Sequence, residues 1–159
     1  MTKGSVDANI VIDILDGNSA GHRTPEEWDG IIELLDDLDK KRIILVVPSA
    51  LFMELLPSHH RPAAVANLFR VLQRDNVEVV DLTVPLARRV ADIREKSIAN
   101  GTKLDTVDAI YVATADFSGV DILYTVDKQI LKNEGLLGTK TRFRKPKGRS
   151  MSFFPIDPV

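Results

Sequence analysis

RIILVVPSALFMELL, residues 42–56, joins a wholly apolar run to a helical pattern through Pro48 and Ser49. Ile43 to Val47 form an unbroken aliphatic run with no polar residue in alternate positions, which is the pattern of a strand buried on both faces. Pro48 and Ser49 then open a helix, so a buried strand hands directly to a helix. SVDANIVIDIL, from Ser5, repeats that step, with the turn near Asp7. Outward from these two segments, apolar runs of strand length alternate with helical patterns, the signature of an α/β domain around a mostly parallel sheet.

The remaining segments fit the same alternation. TPEEWDGIIELLDDLDKK predicts an amphipathic helix, with Thr24 as N-cap and Pro25 at its first position. PAAVANLFRVLQRD predicts a helix whose apolar face carries Val65, Leu68, Phe69 and Leu72; that face serves the core or a homodimer. NVEVVDL and VDILYT read as strands, VPLARRVADIREKSIAN and DTVDAIYVATADFSG as helices, and VDKQILKNEG as a brief helix. MSFFPI, from Met151, reads as a last strand, placed at an edge by its proline. GLLGTKTRFRKPKGRS, 135–150, reads as the one long loop. No internal repeat breaks the chain, and residues 1–159 are expected to form a single domain.

Composition narrows the setting. No apolar stretch approaches the ~20 residues that a membrane-spanning helix needs, so no membrane role is expected. Without cysteine, disulfides and thiolate metal sites are excluded, which fits a cytoplasmic protein. MTKGSVDANIV, with an Asp inside its apolar segment, does not read as a secretory signal. The net charge of −2 conceals an asymmetry: residues 1–60 hold 11 Asp/Glu against 5 Lys/Arg, whereas 128–150 hold 8 Lys/Arg against Glu134 alone. The acidic part suits cations and the basic part suits phosphates.

Several acids stand in apolar surroundings. Within 43–56 only Ser49 and Glu54 are polar, so Glu54 is expected to face protein on most sides. A carboxylate there must be protonated, ion-paired, metal-bound or extended from a helix edge to water. Asp7 and Asp127 each follow a buried strand and start a helix, at the sheet edge where open α/β proteins bind ligands. Each also makes a good N-cap, worth about 1 kcal/mol. In LDTVDAIYVATA, 104–115, Asp105 reads as the cap and Asp108 as a first-turn acid aimed at the same rim. Capping explains each acid singly. Carboxylates gathered on one rim repel one another unless a cation lies between them, and hard oxygen donors without Cys suit Mg²⁺ or Mn²⁺. His59 and His60, in SHHRP before Pro62, read as an exposed turn rather than metal ligands.

Four segments, VDANIVIDIL, PSALFMELL, LDTVDAIYVATA and ILYTVDKQIL, together carry a specific likeness. The chain resembles the PIN-domain nucleases, and within them the VapC-type toxins of toxin–antitoxin pairs. That resemblance implies a three-layer α/β/α fold with a five-stranded parallel sheet in order 3-2-1-4-5. It implies a Mg²⁺- or Mn²⁺-dependent endoribonuclease leaving 5′-phosphate and 3′-hydroxyl ends, with Asp7, Glu54, Asp108 and Asp127 as the acids of the metal site. Thr125, in a T-x-D pattern, would orient a metal ligand or water, Asn9 would hydrogen-bond near Asp7, and Asp105 would support the site as the cap. The implied partners are RNA, a small antitoxin that inserts a segment into the acidic rim, and a second copy in a homodimer. Two positions depart from the family pattern: Ala8 stands where Thr is usual, and Ile130 where an aromatic is frequent. Arg142, Arg144, Lys145 and Lys147 in the basic segment, with Lys140 and Arg149, are expected to touch the RNA backbone or to remain a solvated loop. Two other classes stay open. One is a PIN-like module that binds RNA or protein without cutting; the other is a Mg²⁺-dependent phosphoryl-transfer enzyme with a nucleophilic Asp, for which Lys128 beside Asp127 is the available lysine.

Overall fold

The computed structural model describes residues 1–17, 21–55 and 62–148. Its elements run β1 (Thr2–Val6), α1 (Ala8–Asp16), α2 (Pro25–Asp39), β2 (Ile43–Pro48), α3 (Leu51–Leu55), α4 (Pro62–Leu72) and β3 (Val77–Val80). They continue with α5 (Val84–Ala99), α6 (Thr106–Phe117), β4 (Ile122–Tyr124), α7 (Lys128–Lys132) and β5 (Arg142–Arg144). The five strands form one parallel sheet in the order β3-β2-β1-β4-β5, as the resemblance implies. The order in which successive strands are added reverses between β1 and β4, which run parallel with Val6 beside Tyr124. That is the switch point at which an α/β sheet leaves a crevice beyond its strand ends.

Each face of the sheet has its own core. On one side α5, α6 and α7 pack Leu86, Ile93, Val112 and Ile130 against Val46, Leu123 and Phe143. On the other, α1, α2, α3 and α4 pack Ile10, Ile31, Leu51 and Leu68 against Val6, Leu45 and Val47. The continuous run of β2 is thus explained: Val46 faces one core, Val47 the other, and both are almost fully buried. α2 starts with a complete capping box, in which Thr24 accepts from the Glu27 N–H and Glu27 accepts from the Thr24 N–H. In α4, Leu68 is buried while Phe69 stays partly exposed and stacks on Phe52 at 5.3 Å between ring centroids. The α4 face therefore belongs in part to the core.

The basic segment is not one long loop. Arg142–Arg144 pair with β4 as the sheet edge, and the side chains alternate, with Thr141 and Phe143 buried and Arg142 and Arg144 exposed. Phe143 in the core and a backbone bond from Thr125 N–H to the Arg144 carbonyl at 2.9 Å hold the strand. The strand expected at MSFFPI lies outside the described residues. Beyond β5 the chain crosses the start of α2, where Gly148 N–H bonds the Glu26 carbonyl at 3.3 Å. Gly30 makes that crossing possible, since a Cβ there would lie 2.2 Å from the Lys147 backbone nitrogen.

Candidate active site

Parallel pairing brings Asp7 and Asp127 to the same edge of neighbouring strands. Asp7 follows β1 with extended backbone, φ −82 and ψ 171, and caps α1, its Oδ1 accepting the Ile10 N–H at 3.1 Å. Its Oδ2 accepts the Thr125 hydroxyl. Asp127 caps α7, its Oδ1 accepting the Gln129 N–H at 2.6 Å and the Ile130 N–H at 3.3 Å. Thr125, fully buried after β4, joins the two: it donates to Asp7 and its Oγ1 accepts the Asp127 N–H at 3.0 Å. One hydroxyl thus orients one acid by its side chain and the other by its backbone.

Asp105 caps α6, as its spacing from Asp108 predicts, with Oδ1 accepting the Asp108 N–H at 2.8 Å. Asp108 in the first turn is half-buried. Burial pushes its carboxyl up to about 7, reinforced by the charges of Asp105, Asp127, Asp7 and Glu54 in that order. Asp7 is nearly inaccessible at 4% exposure, and that burial raises its carboxyl. The Thr125 and Ile10 hydrogen bonds oppose the rise, Asp127 adds to it, and the Arg23 charge lowers it. The acids predicted from dispersed segments therefore share one electrostatic field. Arg23, ion-paired with buried Asp13, is a cation acting on that field, and no sequence pattern had singled it out.

Glu54 differs from expectation in one respect. It is exposed on the short helix α3, not enclosed by protein, although its neighbours Leu51 and Leu55 are buried. Its Oε2 accepts the Tyr111 hydroxyl at 2.7 Å. Tyr111 is 1% exposed, lies three residues after Asp108 on α6, and packs in the core that holds Val6 and Leu51. Burial, the bond to Glu54 and the nearby charges of Glu54, Asp7 and Asp108 hold its phenol well above the usual range. The sequence reading passed over Tyr111 as part of an apolar helix; its spacing of three from Asp108, which places both on one helix face, was the usable signal.

Asn9 is exposed, and among the described residues no hydrogen bond joins it to Asp7. Ala8 is buried in the α1 core, and the hydroxyl on Asp7 comes from Thr125. Ile130 is fully buried, a packing position. Of the basic residues, Arg142 and Arg144 project from β5, while Lys145 pairs with Glu27 at 3.7 Å and Lys147 with Glu26 at 3.2 Å. His59, His60 and Arg149 lie outside the described residues.

As a metal site the rim fits in chemistry and is open in form. Its donors are carboxylate oxygens, and the four acids that add to the burial-driven rise of Asp108 are a negative-charge excess of the kind a divalent cation relieves. Among the described residues no three such groups converge closely enough to enclose an ion as they stand.

A family model for the PIN domain matches residues 5–136. The chain belongs to the PIN-domain family. No curated protein matches it by sequence. Among solved structures, it is similar to VapBC2 from Rickettsia felis bound to a DNA fragment from their promoter, with 16% identity, a TM-score of 0.66, and 89% of this chain and 98% of that one covered. DNA-bound VapBC from Salmonella typhimurium shows 20% identity and a TM-score of 0.60 over 90% and 98% of the two chains. FitAcB from Neisseria gonorrhoeae shows 16% identity and 0.58 over 90% and 97%. At these identities the structural likenesses speak for the PIN fold, and the family match, covering both capping acids Asp7 and Asp127, assigns the chain.

Proposed function

We propose that this PIN-domain protein is a divalent-metal-dependent endoribonuclease, the toxin of a toxin–antitoxin pair. The observation that carries the reading is the gathering of Asp7, Asp108, Asp127 and Glu54 near the switch point of the sheet, where burial first, and then the charges of Asp105, Asp127, Asp7 and Glu54, raise Asp108 to about 7. Asp7, Asp108 and Asp127 would hold Mg²⁺ or Mn²⁺, with Glu54 completing the set. A bound divalent ion supplies a nucleophilic water at neutral pH and neutralises charge that builds on the phosphate. The chain's own residues do the rest. Thr125 fixes the Asp7 carboxylate and the Asp127 backbone, so two ligands are set before substrate arrives. Arg142 and Arg144, exposed at the sheet edge, offer guanidinium groups to the RNA backbone without reading its bases. Water adds at phosphorus as the P–O3′ bond breaks, leaving a 5′-phosphate and a 3′-hydroxyl.

A partner role rests on the VapBC and FitAcB structures that resemble this chain. An antitoxin segment presenting an Arg would compete for the rim carboxylates. Among the described residues, an apolar cavity of about 360 Å³ between α1, α2, α4 and the sheet, lined by Leu15, Leu35, Leu68 and Leu72, offers a seat for its apolar side chains. The decisive experiment incubates purified protein with RNA in Mn²⁺, in EDTA, and in EDTA followed by excess Mn²⁺. Cleavage lost in EDTA and restored by Mn²⁺ is expected; RNA bound but intact in all three would favour a binding module instead.

A further inference from the structure

We infer that Tyr111 is a positioning residue of the site, its hydroxyl holding the otherwise mobile Glu54 carboxylate at the acidic rim in the orientation that receives the cation. The inference rests on the metal-dependent reading above and deepens it. Glu54 is exposed and sits on a helix of five residues, so nothing in its own element fixes its side chain. The charges it does feel are unfavourable, because Glu54 and Asp108 repel one another. Left alone, its three side-chain torsions and that repulsion would carry the carboxylate toward bulk water.

Tyr111 supplies the opposing contact. Its ring is 1% exposed and packed in the core with Val6, Ile10 and Leu51, so the hydroxyl has a fixed address. From there it donates to Glu54 Oε2 at 2.7 Å, a charge-assisted bond at the short end of the usual range. Among the described residues no hydrogen bond engages Oε1, which leaves that oxygen available. Because Asp108 and Tyr111 stand three apart on α6, the same helix that presents one acid also fixes the acid contributed by α3. A rigid neutral donor among carboxylates does what no charged residue there could do: it orients one of them without cancelling its charge.

The test is Tyr111→Phe, which removes one oxygen and leaves the buried ring, compared with Glu54→Gln and the double variant. Mn²⁺ affinity is measured by calorimetry on the full chain without RNA, alongside kcat and KM on RNA, with thermal melts in EDTA as the check on folding. Loss of an outer hydrogen bond to a ligand carboxylate lowers metal affinity roughly 10–100-fold, and Tyr111→Phe is expected in that range, with kcat falling and KM for RNA held within about twofold. In the Glu54→Gln background the same change is expected to add nothing further to the loss of metal affinity, since the charged carboxylate that Tyr111 positions for the cation is gone even though the amide oxygen can still accept. Wild-type Mn²⁺ affinity in Tyr111→Phe, or an equal additional loss in the double variant, overturns the inference while leaving the metal-dependent reading intact. Wild-type protein that neither binds Mn²⁺ nor cuts RNA overturns both.

Discussion

Asp108→Asn is expected to make the metal-free protein more stable while destroying the site. The carboxyl is lifted to about 7 from an ordinary value near 3.8, so the folded chain binds its proton more tightly than the unfolded chain does. The sign follows: the raised carboxyl opposes folding progressively as pH climbs from about 4, and fully once pH passes about 7. Unscreened, that difference would amount to about 4 kcal/mol. Asp108 is only half-buried, and solvent screening reduces the penalty to about 1–2 kcal/mol. Removing the charge also gives up its favourable place in the first turn of α6, worth about 0.5 kcal/mol, and Asp105 keeps the cap. The net gain of about 1 kcal/mol corresponds to a Tm higher by about 2–4 °C for a chain of this size. Thermal melts in EDTA at pH 8 and pH 5 read it directly: the gain is present at pH 8 and smaller at pH 5. Saturating Mn²⁺ then reverses the order, because it stabilises the wild type by about 2.7 kcal/mol at a hundred times Kd and the variant far less. An Asp108→Asn protein that melts below the wild type in EDTA at pH 8 would refute the idea that crowded carboxylates strain the empty rim.

Two further substitutions probe the site and its surroundings. Thr125→Val removes the donor that holds Asp7 down against its burial, so the acid limb of the kcat/KM profile is expected to move to higher pH with activity reduced roughly 10–100-fold; an unmoved limb removes Thr125 from the machinery. Arg142→Ala with Arg144→Ala is expected to flatten the slope of log K against log salt for single-stranded RNA by about 1.4, as for two lost phosphate contacts. Lys145→Ala with Lys147→Ala, whose charges already face Glu27 and Glu26, is expected to change it less, and an unchanged slope for the arginine pair takes β5 out of the interface.

Elements with a strong local signal, an unbroken aliphatic run or a capping pattern, are legible from residues alone. The aliphatic run of β2, the Thr24–Pro25 start of α2 and the Asp105 cap of α6 each follow from local chemistry, and the structure has them where that chemistry puts them. Strand order needed the family likeness, because periodicity says which segments are strands and not which are neighbours. β5 escaped because three residues, Arg-Phe-Arg, sit in a charged run where net basicity masks the alternation that buries Phe143. Glu54 illustrates the opposite error: apolar neighbours in sequence suggested enclosure, yet a five-residue helix turns Leu51 and Leu55 inward and leaves Glu54 outward. Tyr111 and Arg23 act through partners distant in sequence, Glu54 on α3 and Asp7 after β1, and no single segment shows such pairs.

Whether the rim acids work through a divalent cation is read from the rate of RNA cleavage as a function of Mn²⁺ concentration for wild type and Asp7→Asn, with folding of both verified in EDTA. A saturable Mn²⁺ dependence is expected for the wild type, and for Asp7→Asn a rate lower by at least about a hundredfold at every concentration, since removing a ligand forfeits several kcal/mol of charge stabilisation. Full Mn²⁺-dependent cleavage by folded Asp7→Asn would contradict that role of the acids.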